Sequence, residues 1–378
     1  MPVRFATASC IALAILTAAC DDPSSAGLEF VDDDEARPTV AVEDPTVVES
    51  ESGIREETGQ APHVLTGTVS DPISGTVSST GYLDFSEPAD PPSVFRNGPV
   101  TEVELRLVRS YVYGDTLSAG MLTLNNMDEA WTSTGVAADS QLTSGGEAMT
   151  IAFATSDTVV SVPLPQAWID EYGDRLSAAG SDTLFHGFEL VSTGTNAVVG
   201  YASSSAVLRV VSGGETIEFP GNRRLTTVQR LTSPSVPADR LLIQDTAGPG
   251  VAIGFDLSDN ELDTAILNRG EIHVTVDTLS IGDEGSFVRP RVQELMLQAV
   301  TSNDGVVVLG VADVENGAAV FSGDLVRVAL QGLASGTGVV DRFRVIVDVD
   351  EHGIGYVVLN GLATEGHPFA KITASRLQ

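Results

Sequence analysis

Apolar side chains recur at every second position in one stretch after another. Val103, Leu105 and Leu107 alternate with Glu104 and Arg106. Ile272, Val274 and Val276 alternate with His273 and Thr275, and Phe343, Val345, Val347 and Val349 alternate with Arg344, Ile346 and Asp348. A period of two puts one face of an extended strand on a core and the other toward water. Gly, Asn, Asp and Pro cluster between the runs, as in antiparallel sandwiches joined by tight turns. Helix signals are few. "PQAWIDEYG" predicts one short helix, with Trp168, Ile169 and Tyr172 on one side and Gly173 as its stop. "SDNELDTAI" predicts a second, with Ser258 and Glu261 as a capping box. The expected class is all-β.

A chain of 378 residues is long enough for two cores, and the pattern runs through twice in the same order. "VVSVPL" at Val159–Leu164 reads like "LVRVAL" at Leu325–Leu330, and each precedes a short helical piece. A Phe-centred strand follows in both, "GFELV" at Gly187–Val191 and "RFRVIV" at Arg342–Val347. Then come "VVGY" at Val198–Tyr201 and "GIGY" at Gly353–Tyr356, and finally "AVLRVV" and "AKITASRL". The expectation is two tandem antiparallel jelly-roll-like β-sandwiches, at 61–213 and 222–378, joined near "SGGETIEFPGNRR".

The first 60 residues read differently. Arg4 precedes an uncharged apolar run from Phe5 to Ala19, too short to span a bilayer and right for a signal-peptide core. Thr17-Ala18-Ala19-Cys20 resembles the lipobox of bacterial lipoproteins, with Thr17 where Leu is usual and Leu16 one place earlier. The motif implies cleavage after residue 19 and lipidation of Cys20. Several acyl chains, at about 0.8 kcal/mol per buried CH₂, anchor a protein durably. Residues 20–60 are acidic, proline-containing and poor in aromatics, and so are expected to form a disordered tether. Asp32-Asp33-Asp34-Glu35 lacks the spaced ligands and turn glycine of a calcium loop. The two cysteines, Cys10 and Cys20, both lie in this opening segment, so no disulfide is available to the body.

Formal net charge is -32, and Lys371 is the only lysine. Such a chain repels nucleic acid and anionic lipid surfaces. No pair among His63, His186, His273, His352 and His367 has helical zinc spacing, and no phosphate loop or Gly-x-Ser-x-Gly elbow is present, so neither metal nor cofactor is expected.

"GLEFVDDD", "VLTGTVSDPISGTVSSTGYLDF", "VELRLVRSYVYGD" and the closing "GHPFAKITASRL" resemble an uncharacterised family of bacterial outer-membrane lipoproteins, a domain of unknown function. The resemblance covers almost the whole chain. Its most specific piece is Leu65-x-Gly67-x-x-x-Asp71-Pro72-x-x-Gly75. The halves look similar to the jelly-roll sandwiches of disaggregatase-type carbohydrate-binding modules. The family supplies no catalytic residues to carry over, and a fold does not fix a function.

Candidate ligand-binding residues are Asp71, Tyr111, Tyr113 and Trp131. Asp71 has a carboxylate for a cation or a sugar hydroxyl, although Asp71-Pro72-x-x-Gly75 also reads as a hairpin corner. Tyr111 and Tyr113 share one strand face, and aromatic rings stack on sugars; Tyr82, Trp131, Trp168 and Tyr201 are further rings, each equally suited to core packing. Asp348, Asp350 and His352 gather the acids a hydrolase needs. However, Asp348 and Asp350 fall on a strand face beside Arg342 and Arg344, and His352 falls at a turn. The expected role is therefore non-catalytic: a binding or structural protein lipid-anchored in the cell envelope, most simply at the outer membrane. Its partners would be the membrane, through the anchor, and a glycan or other envelope proteins. The alternatives are a carbohydrate-binding accessory for polysaccharide capture and an envelope hydrolase.

Overall fold

The structure, a computed structural model, describes residues 39–51, 56–57, 61–181, 184–246, 250–258, 262–277, 284–348 and 353–376. It opens with strands β1 (Thr39–Glu43), β2 (Val47–Glu51) and β3 (Glu56–Glu57). A first half follows: β4 (His63–Asp71), β5 (Gly75–Phe85), helix α1 (Ser93–Asn97), β6 (Val100–Asp115), β7 (Ala119–Asn126), β8 (Val136–Ala137), β9 (Glu147–Ala154), β10 (Val159–Pro163), helix α2 (Gln166–Ser177), β11 (Phe188–Thr193), β12 (Ala197–Ala202), β13 (Val207–Ser212) and β14 (Glu215–Arg230). The second half comprises β15 (Arg240–Gln244), β16 (Gly250–Gly254), β17 (Ala265–Asp277), β18 (Phe287–Val288), β19 (Glu294–Thr301), β20 (Val306–Asp313), β21 (Ala318–Ser322), helix α3 (Asp324–Ala334), β22 (Val340–Val347), β23 (Tyr356–Asn360) and β24 (Phe369–Arg376). The chain is all-β and sandwich-like, with antiparallel sheets.

The halves are built alike. The long strand β6 pairs with β10, β12 and β13, as β17 pairs with β21, β23 and β24. Likewise β7 lies between β9 and β11, as β19 lies between β20 and β22. Each half has its own apolar core, with Phe188 and Leu105 central in the first and Phe343 and Ile272 in the second. Each such fully buried side chain contributes about 1.5–3 kcal/mol.

The internal match needs one correction. "LVRVAL" is not the counterpart of the strand at 159–163; it lies inside helix α3. Its buried residues, Val326, Ala329, Leu330 and Ala334, fall at spacings of three and four, which a helix places on one face. Leu325 and Val328 face solvent. The true counterpart of β10 is β21, so α2 matches α3. Helix α2 forms as expected but runs through Gly173 to Ser177. Gly173 is an interior packing residue: a Cβ there would lie 3.1 Å from Val100 Cβ. The expected helix at "SDNELDTAI" is not seen among its described residues. Ser258 Oγ donates to Asp256 Oδ1 at 2.8 Å and residues 262–264 form a turn; Glu261 lies outside the described residues.

Two boundaries also move. Residues 215–230, expected to contain the joint between domains, are one continuous strand, β14, which pairs with β13 and then β5 of the first half. Residues 39–51, expected as tether, are strands β1 and β2. They pair with β24 and β16 of the second half, the positions equivalent to β13 and β5. The composition of 20–60 was right for a segment in isolation, but β24 and β16 offer unpaired edges, and Val40, Val42, Val47 and Val48 suit a pleated partner. The first half thus takes this strand from the residues directly after β13, whereas the second half takes its equivalents from residues 39–51, which precede the first half in sequence. The rest of the expected tether, 20–38, 52–55 and 58–60, lies outside the described residues, as does Cys20.

Candidate functional site

The period-two pattern of β6 aims Tyr111 and Tyr113 at the second half, and the seam between the halves is built around them. Leu65, Val69, Val77 and Val228 from the first half meet Leu242, Ile354, Tyr356 and Val358 from the second in a shared apolar core. Tyr113 lies in it, with its ring 6.3 Å from Tyr356 and 6.0 Å from Phe287. Burial pushes both phenol pKa values well up, so both remain neutral hydrogen-bond donors.

Asp71 sits where the sequence puts it, at the β4–β5 corner, and Gly75 there has φ of 81°. Its Oδ1 accepts from the Ile73 amide at 2.7 Å, holding the turn. Its Oδ2 crosses the seam. It accepts from Arg289 Nε at 2.7 Å, Tyr113 OH at 3.0 Å and Tyr356 OH at 3.3 Å. The two charged side chains are 0% and 4% exposed. A carboxylate so enclosed and so fully bonded is a latch between the halves, and no side of it faces a ligand. Arg230 adds a second bridge, donating to Ser74 O at 2.6 Å and to Gln244 Oε1.

Beside the latch the seam opens into a cleft of about 420 Å³. His63 and Tyr111 line it from the first half, and Asp245, Arg291, Gln293, Glu294 and Gly353 from the second. The His63 ring lies 5.6 Å from Tyr111, its Nδ1 bonds to Ser110 Oγ at 2.7 Å, and burial lowers its pKa, favouring the neutral imidazole. Tyr111 OH accepts from the Ile354 amide at 3.1 Å. Asp245 Oδ2 accepts from the Gly353 amide, and the Thr246 hydroxyl donates to Gly353 O, both at 2.6 Å. Gly353 packs closely here: a Cβ would lie 3.1 Å from the Tyr111 ring, which would have to shift by a few tenths of an ångström. Burial, then the neighbouring Asp348 and Asp313, raises the Glu294 pKa. The cleft therefore offers a phenol ring, an imidazole, a guanidinium, an amide and carboxyls, with Tyr111 and Asp245 fixed by backbone hydrogen bonds. Among the described residues no cluster is arranged to hold a metal ion.

Of the sequence candidates, Tyr111 alone lines this cleft, Tyr113 and Asp71 lie behind it, and Trp131 is elsewhere. Trp131 is buried, donates Nε1 to His186 O at 2.9 Å, and packs against Tyr82 with Arg223 over its ring. Tyr201 and Trp168 fill the first-half core. Asp348, expected on an outward face with Arg342 and Arg344, is buried just past the end of β22, where the alternation breaks. The two arginines face Glu51 instead. Asp350 and His352 lie outside the described residues. Arg289, Asp245 and Glu294 carried no sequence signal: Asp71 and Arg289 are 218 positions apart, and no local pattern links them.

No protein-family model matches the chain, and no curated protein matches it.

Proposed function

We propose that this is a lipid-anchored protein of the bacterial envelope with a non-catalytic binding role, and that its ligand occupies the cleft at the seam. The anchor rests on Thr17-Ala18-Ala19-Cys20. Eighteen residues separate Cys20 from Thr39, so a lipid there holds the body within about 65 Å of the membrane at full extension. The observation that carries the binding reading is the commitment of two of the cleft's polar groups, Asp245 and Tyr111, to structure. Asp245 secures the Gly353 amide and Tyr111 OH receives the Ile354 amide. Hydrolysis needs an acid and a base free to exchange protons with a substrate. Binding needs a shaped wall with a few hydrogen-bonding groups, which this cleft supplies.

A sugar is the favoured ligand class, because Tyr111 presents a ring beside the hydrogen-bonding side chains of Arg291 and Gln293. The test is calorimetric titration with envelope and environmental glycans beside a hydrolysis screen. Saturable binding weakened at least tenfold by Tyr111→Ala supports the reading. Turnover that is lost in Glu294→Gln, His63→Ala, Asp350→Asn or His352→Ala overturns it. Intact mass of Cys20→Ser tests the anchor separately: a retained lipid mass would refute the assignment.

A further inference from the structure

Residues 39–51 form a strap whose hold differs from that of its counterpart β14. Strand β14 buries Phe219, Leu225 and Val228. The strap leaves Val40, Val42 and Val47 at 58%, 60% and 41% exposure; Pro45 is buried, and Ala41 and Val48 lean on the second-half core. Its hold includes backbone pairing to β24 and β16, the Thr46 hydrogen bonds to Gly254 O and two ionic clasps. In one, Glu51 accepts from Arg344 Nε and Nη2 at 2.9 Å each and from Arg342 Nη2 at 2.7 Å. In the other, Asp44 Oδ1 meets His367 Nε2 at 2.9 Å. A segment with little buried apolar surface opens at a lower free energy than the body it rests on.

The strap is attached by sequence to the first half and by pairing to the second, with residues 52–62 between Glu51 and His63. Strand β14 differs: it follows β13 after two residues and pairs within its own half. A strand that leaves one fold to complete the edges of a like fold is the kind of element that strand-swapped dimers exchange. We infer that the strap is also exchanged between chains: the strap of one copy pairs with β24 and β16 of a second copy, and reciprocally. The occupant is fixed by the surface itself. The edge of β24 accepts Thr39–Glu43 in a defined register, and the Arg342–Arg344 pair accepts Glu51. Any copy of the chain carries that complement. Every strap contact is the same in cis and in trans, so concentration decides between them. A short linker gives the cis strap an effective concentration on the order of millimolar. Closed monomers therefore dominate in dilute solution, and exchanged pairs form at high local density once salt screens the repulsion between chains of charge -32.

The test uses the full chain with Cys10→Ser and Cys20→Ser, so that introduced thiols are alone. Val42 and Lys371 are register partners and both are exposed. Val42→Cys is made in isotope-labelled chains and Lys371→Cys in unlabelled ones. The two are mixed at about 1 mM in moderate salt and oxidised. The expected product is a covalent dimer whose linked peptides, one labelled and one not, join positions 42 and 371. Adding Glu51→Gln to both chains should speed its appearance about fivefold or more. The doubly substituted chain, oxidised at micromolar concentration, reports the cis strap. If it closes within one chain while the mixture gives no 42–371 link, exchange between chains is refuted. If it fails to close, the strap register is wrong and the inference falls with it. Neither outcome depends on glycan binding or on the anchor.

Discussion

Removing the Glu51 clasp should weaken the second half by an amount the geometry sets. The Arg344 hydrogen bonds, reinforced by Arg342 and opposed by burial, hold the Glu51 carboxyl at a pKa of about 2 against a usual 4.5. A gap of about 2.5 units corresponds to about 3.4 kcal/mol favouring the ionised, folded form. The side chain is 17% exposed, so solvent screening trims this only in part, to about 2–3 kcal/mol. The folded pKa is depressed, so the contribution is fully present above pH 4.5 and is lost as pH falls through about 2. At pH 3 it should already have fallen to about 1.4 kcal/mol before screening. Glu51→Gln, which keeps the shape and removes the charge, should therefore cost about 2–3 kcal/mol at pH 7 and less than half of that at pH 3. Hydrogen exchange of the β2 and β16 amides measures the local free energy, and urea unfolding measures the global one. A loss below about 0.5 kcal/mol at pH 7, or one that does not shrink at pH 3, would show that the pair is solvated and that backbone pairing alone holds the strap.

Asp71→Asn removes the buried charge partner of Arg289, leaving the exposed Glu284 carboxylate 3.7 Å away, and should cost about 3–5 kcal/mol; calorimetry should show the two halves melting apart, and an unchanged single transition refutes the latch. The Asp44 hydrogen bond raises the His367 pKa, so its contribution is present below about pH 6.5 and lost as pH rises through the higher folded value. Protection of the β1 amides should accordingly decline from pH 6 to pH 8, and His367→Gln should flatten that slope; a slope that survives the substitution assigns the effect elsewhere. Limited proteolysis should spare residues 213–222, because they lead into a paired strand; an early cut there would contradict the continuity of β14. Gly353→Ala drives a methyl against the Tyr111 ring and should reshape the cleft without unfolding the seam, seen as lost glycan affinity at unchanged melting temperature.

What the sequence made legible was local and periodic. Leu105 and Leu107, Ile272 and Val274, and Phe343 and Val345 alternate because each lies on a half-buried strand, and all six are core residues. Asp71 to Gly75 was readable as a corner because turn chemistry is confined to five residues. The failures share one cause. Val326, Ala329 and Leu330 sit in a run that satisfies a period of two for part of its length, and only packing selects the helix. The strap is acidic and poor in aromatics, so nothing within it announces partners about 200 or more positions away. The Asp71–Arg289 latch and the Asp245–Gly353 hydrogen bond are equally non-local. Tyr113 and Tyr111 share a face, as their spacing predicts. Which of them meets water depends on the second half, and the first half's sequence carries no record of that.

The strap ties the second half to the first, and the cleft belongs to the pair of halves rather than to either. Without residues 39–51 the second half loses an edge strand from both of its sheets. Separation of the halves would therefore have to break strand pairing as well as the seam core and the buried Asp71–Arg289 pair. Those costs fall together, which makes relative motion of His63 and Tyr111 against Asp245 and Gly353 expensive. A cleft held in this way is set in advance, so under the proposed binding role little ordering entropy would be left to lose.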